Sequence, residues 1–131
     1  MPTTEIAFET TTALSYDGAV ERCKDALVAE GFGVLSEIDI RATLKKKLGV
    51  DLEPYVILGA CHPPSAHRVL TAMPAVGVLL PCNVTVSVES GQTVVRAMNP
   101  GVAMGLLDDP TVAEVATEVG AALERVLETL G

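Results

Sequence analysis

Basic residues are scarce in this chain: 9 Lys and Arg stand against 17 Asp and Glu, a formal net charge of −8. A surface of that sign is repelled by phosphate backbones, which argues against nucleic acid as a partner. The one basic run, Lys45-Lys46-Lys47, is too short to reverse the balance. Aromatic residues are scarcer still, with 2 Phe, 2 Tyr and no Trp. The apolar mass is therefore Val, Leu and Ala, and it is large. Hydrophobic residues make up 49% of the chain, and the mean hydropathy is +0.41. A small monomer has little interior in which to hide such an excess, so a subunit interface is expected.

Several signatures of chemistry are missing as well. There is no GxGxxG, no Walker motif, no GxSxG, no CxxC and no HxxxH. Internal repeats, linkers and low-complexity segments are also absent, so residues 1 to 131 are expected to form one domain. The opening "MPTTEIAFET" has no basic region leading into an apolar core. With an odd count of 3 cysteines, a cytoplasmic setting and reduced thiols are expected. From Val69 to Val88 no residue is charged, a stretch as long as a membrane span. It contains Pro74, Gly77 and Pro81, however, and then alternates at Val84, Val86 and Val88. A helix end followed by a strand explains it better than a membrane segment.

The patterning that is present defines an α+β chain. "EIAFETTTAL" (5 to 14) reads as a strand. Ser15 or Asp17 can cap a helix with Val20, Cys23 and Leu27 inward, ended by Gly31. "FGVLSEI" (32 to 38) reads as a second strand. Asp39 can cap a short helix whose lysines sit at the favourable end of the macrodipole and which Gly49 stops. "PYVILGAC" (54 to 61) reads as a buried strand. Pro63 and Pro64 open a helix with Ala66, Val69, Leu70 and Met73 on its inner face. "VGVLLPCNVTVSVE" (76 to 89) reads as a long strand that Pro81 interrupts by a bulge or an unpaired edge. Ser90-Gly91 turns it into "QTVVRAM" (92 to 98) as a hairpin. That loop sets Val86 opposite Val95, Val84 opposite Ala97 and Cys82 opposite Asn99. The last helix, capped at Asp108-Asp109, carries Val112, Val115, Val119, Leu123, Val126 and Leu130 inward. An antiparallel sheet with the long helices on one face follows.

Two stretches stand out chemically, "LGACHPPSAHRVL" (58 to 70) and "LLPCNVTV" (79 to 86). Cys61 ends a strand and His62 begins the turn that the two prolines enforce. The next helix would aim free N–H groups and a positive dipole end near the thiol, an arrangement that favours thiolate chemistry. Cys82 lies beside the strand break at Pro81. His67 falls on the flank of its helix, about 110° from the centre of the inner face at 100° per residue. Cys23 sits between core positions. Only Cys61, His62 and Cys82 are then left, which makes a four-ligand structural zinc site an unsuitable reading. A three-ligand site with an open position, or one shared across a dimer, would suit a soft ion such as Cu(I), with Met98 or Met104 nearby.

The segments "GFGVLSEIDI", "YVILGACHPPSAHRVL", "GVLLPCNVTV" and "AMNPGVAM" resemble the bacterial and archaeal domain-of-unknown-function family 302, over roughly residues 12 to 128. The resemblance implies a TATA-binding-protein-like or helix-grip α+β fold: strand, helix, four antiparallel strands, helix. It also implies homodimers, and it directs attention to Cys61, His62, Pro81, Cys82 and Asn83. It supplies no reaction and no cofactor. Three functions fit the residues. The leading one is a homodimer that binds a small ligand, a soft metal or a sulfur species in an apolar pocket. That pocket is expected to be rimmed by Cys61, His62 and Cys82, with Asn83 and Met98 contributing. The second is a thiol enzyme with Cys61 or Cys82 as nucleophile or redox centre and His62 as base. The third is a non-catalytic dimeric module in which the cysteines only pack.

Overall fold

The computed structural model describes residues 5–131. Five strands form one antiparallel sheet in the order β1-β5-β4-β3-β2. In chain order these are β1 (Ala7–Thr12), β2 (Gly33–Asp39), β3 (Tyr55–Cys61), β4 (Cys82–Glu89) and β5 (Gln92–Met98). Helix α1 (Tyr16–Ala29) crosses from edge strand β1 to edge strand β2, and α5 (Pro110–Glu128) returns over the sheet after β5. The shorter helices α2 (Ile40–Leu48), α3 (Pro63–Ala72) and α4 (Pro100–Ala103) fill connections. Strand, helix, four strands and helix are thus the frame, with α2, α3 and α4 as insertions.

Local chemistry accounts for the boundaries. Ser15, Asp39 and Asp109 each place a side-chain oxygen on a first-turn N–H, of Gly18, Ala42 and Val112 respectively. Gly49 closes α2 at φ 69°, and Gly31 turns the chain out of α1 at φ 86°. Ser90 and Gly91 both have positive φ, 51° and 78°, the backbone of a two-residue hairpin turn. That turn sets Glu89 opposite Gln92, Val86 opposite Val95 and Val84 opposite Ala97, the register that the sequence predicts.

Two sequence expectations fail nearby. Residues 74–79 form a 3₁₀ helix, not the start of a strand, and β4 begins only at Cys82. A short apolar run fits a helical turn as well as a strand, and Pro81, which follows a cis peptide bond, lies outside the ladder it cannot donate to. Cys82 also does not face Asn99. The β4–β5 ladder stops at Val84 and Ala97, Asn99 turns away to cap α4, and Cys82 pairs with Ala60 of β3.

Residues directly opposite on antiparallel neighbours share a face. Leu58, Val84 and Ala97 therefore form one row on the helix-covered face, and Val56, Val86 and Val95 the next. All six are buried. Helix α5 meets them with Val112, Val115, Val119, Leu123 and Val126, and α1 with Val20, Cys23 and Leu27, all buried. Each such Val or Leu side chain contributes about 1.5–3 kcal/mol by leaving water. Among the described residues no helix is long and apolar enough to cross a membrane.

Candidate functional site

One row beyond Leu58 and Val84, the covered face ends at the pair Ala60 and Cys82. A cavity of ≈ 350 Å³ lies there. Its walls come from the β3–β4 strand ends, α3, α5, the 3₁₀ segment and the turn after β5. Val69, Phe32, Val115 and Met104 form its buried wall, while Leu35 and Leu70 stand exposed at its mouth. The lining includes no Lys, Arg, Asp or Glu; its polar side chains are Cys61, His62, Ser65 and Cys82.

His62 is the N-cap of α3, but its side chain makes no bond to a helix N–H. Instead His62 Nδ1 and Ser65 Oγ share a hydrogen bond of 2.8 Å. Ser65 is buried one turn into α3, in phase with Val69 four residues on. The other edge of the imidazole lies against the end of α1. It meets the Phe32 ring edge-on, with centroids 5.4 Å apart. A Cβ on Gly31 would sit 3.1 Å from His62 Nε2, so this glycine supplies clearance for the ring as well as positive φ.

The two cavity thiols differ in setting. Cys61 is half-buried, and Cys82 is buried. Burial first, and then Cys61, push the Cys82 thiol up to about 11, so it stays protonated at neutral pH. Burial alone takes Cys23 to about 12, in keeping with its place in the core. The helix start also offers less than the sequence implies. Pro63 and Pro64 occupy the first two helical positions, so two of the free N–H groups expected near Cys61 do not exist.

Cys61, His62 and Cys82 thus line a single cavity, whereas two other candidates lie elsewhere. Asn83 alternates away from Cys82 and is exposed, opposite Gly59 in the ladder. Met98 is half-buried opposite Ala7 at the end of β5, outside the lining; Met104 supplies the cavity methionine. His67 is exposed. Among the described residues no three His, Cys, Asp or Glu side chains group as metal ligands. The His62 imidazole is engaged with Ser65 and Phe32. Sequence reasoning missed Ser65, although its spacing from Val69 and its place three residues after His62 both mark it as inward.

The fold and cavity describe a two-layer α+β protein with an apolar recess, free of Lys, Arg, Asp and Glu, at one end of the sheet. The chain belongs to the DUF302 family, a domain of unknown function, whose model matches residues 8–130. It is similar to the crystal structure of uncharacterized conserved protein DUF302 from Bacillus stearothermophilus. The two are 32% identical and align with a TM-score of 0.89, over 95% of this chain and 98% of that one. No curated protein matches.

Proposed function

We propose that this protein is a binding protein for a small, mainly apolar molecule held in the cavity, with Cys61, His62, Ser65 and Cys82 as its polar contacts. One observation carries the reading: a recess of ≈ 350 Å³ whose lining is hydrocarbon apart from two thiols, one imidazole and one hydroxyl. Pockets that bind small ligands have this composition, an apolar wall with a few placed polar groups. Thiol catalysis by Cys82 fits less well, because burial keeps that thiol protonated. A soft metal or a sulfur species fits less well, since the three side chains do not group as ligands.

We further propose a homodimer in a reducing, cytoplasmic setting. The exposed apolar side chains Leu35, Val78 and Leu106 support the first part, and the three free thiols support the second. Native mass spectrometry of the gently purified protein tests both levels of the reading. The expected result is a dimer carrying a small organic adduct that solvent extraction releases. Ala116 lies on the cavity wall, and Ala116→Leu narrows the recess. A folded Ala116→Leu protein that keeps the same adduct would exclude the cavity as its site.

A further inference from the structure

Resting on that reading, we infer the class of ligand: a neutral molecule, hydrocarbon over most of its length, with a single hydroxyl or carbonyl group seated on the His62–Ser65 pair. Three observations lead there. The lining supplies no Lys, Arg, Asp or Glu, so an ammonium would meet no carboxylate and a carboxylate no permanent cation. An unpaired charge taken out of water is penalised far more than a neutral polar group.

The second observation is the one polar pair that is not a thiol. His62 Nδ1 and Ser65 Oγ are already joined at 2.8 Å. A hydroxyl has one donor and two acceptor sites, and a neutral imidazole has one of each. Their mutual bond uses one donor and one acceptor. One donor and acceptor capacity remain between them, which suits an alcohol or a ketone and needs no ionised partner. Ser65 is buried, so its remaining capacity is directed to the cavity or left unmet.

The third observation is size and shape. At roughly 30 Å³ per liquid water as a yardstick, the recess holds about a dozen non-hydrogen atoms. The apolar lining continues to Leu35 and Leu70 at the mouth, which are 69% and 39% exposed. A chain that fills the recess can therefore rest its far end on apolar surface.

A matched set of eight-carbon probes tests this at neutral pH: octane, 1-octanol, octanoate and octylammonium, titrated calorimetrically into the full chain. The expected result is that 1-octanol binds at least about tenfold more tightly than either charged probe. Ser65→Ala should weaken 1-octanol by about 2- to 10-fold, the range of one hydrogen bond, and leave octane unchanged. His62→Phe should act in the same direction and guards against a Ser65→Ala protein that fails to fold. Octanoate or octylammonium binding as tightly as 1-octanol would overturn the assignment of a neutral ligand while leaving the cavity reading intact. Loss of octane and 1-octanol alike in Ser65→Ala and His62→Phe proteins that remain folded would overturn the placement of the head group. Failure of all four probes to bind would overturn the cavity reading itself, and the ligand class with it.

Discussion

Successive residues of β4 and β5 look onto two very different faces of the sheet. Val84, Val86, Val95 and Ala97 face the helices, and the recess continues that face beyond Cys82 without one Lys, Arg, Asp or Glu. On the other face Arg96 receives two carboxylates. Its Nε donates to Glu9 Oε1 at 2.6 Å, its Nη2 donates to Glu89 Oε1 at 3.0 Å, and Ser87 Oγ donates to Glu89 Oε2 at 2.7 Å. Strand alternation separates the two sets by a single residue step. The contrast shows how an acidic chain with few cations keeps acidic and basic side chains out of its recess: the charges on β1, β4 and β5 are sorted to the far face, where Arg96 holds both Glu9 and Glu89 in reach of water, and Glu37 of β2 pairs with Lys24 of α1.

The largest expected effect comes from disturbing what backs His62 in the wall of the recess. Gly31 has φ 86°, where an alanine is strained by about 1–2 kcal/mol. Its new Cβ would also stand 3.1 Å from His62 Nε2 and 3.2 Å from Cδ2. Gly31→Ala is expected to lower unfolding stability by at least that amount in urea titration and to shift the His62 imidazole resonances. A change in stability with the His62 resonances unmoved would mean that Gly31 acts only through the backbone, not as clearance for the ring.

The charged face should respond less, and it should respond to acid. Hydrogen bonds from Arg96, and then from Ser87, hold the Glu89 carboxyl down at about 2 from an ordinary 4.5. A depressed carboxylate stabilises the fold at pH values above its unfolded pKa. That contribution is lost as pH falls from about 4.5 towards about 2. Because the Glu89 side chain is 44% exposed, solvent screening reduces the contribution to about 1 kcal/mol. Arg96→Met is expected to remove most of it at neutral pH and to flatten the acid limb of the stability profile. An acid limb of unchanged steepness in Arg96→Met would place the titrating groups elsewhere.

What the sequence makes legible follows from how local each cause is. The caps at Ser15, Asp39 and Asp109 and the stop at Gly49 are each set within a few residues of chain, so Asp39 and Gly49 can be read directly and the other two caps to within a pair, Ser15 or Asp17 and Asp108 or Asp109. The Ser90-Gly91 turn carries its register outward in the same way. The cavity depends on remote partners. Phe32, Met104, Val115 and Val119 meet Cys61 and Cys82 only after β3, α3 and α5 have packed, and no short-range pattern links them. The 3₁₀ turn at 74–79 is hidden for another reason: an apolar run of that length carries no periodicity that separates a strand from a helical turn. Ser65 was within reach. Its spacing from Val69 marks the inner face, but a serine between a proline pair and an alanine reads first as a helix-start residue.

The sharpest form of the contrast is also the one with the smallest expected effect. Cys82 and Asn83 are adjacent on β4, yet Cys82 is buried in the lining and Asn83 is exposed on the far side, without a side-chain hydrogen bond among the described residues. The pairing of Asn83 with Gly59 leaves it no neighbour of its own size across the ladder. Asn83→Ala should therefore change stability by less than about 0.5 kcal/mol, the range for a surface position without special contacts. It should also leave 1-octanol affinity at the parent value. Cys82→Ala, one residue earlier, enlarges the recess and removes a buried sulfur, so both stability and affinity should move. Equal effects from the two substitutions would mean that strand alternation at this end of β4 does not separate the faces, and the neutral recess would lose its structural basis.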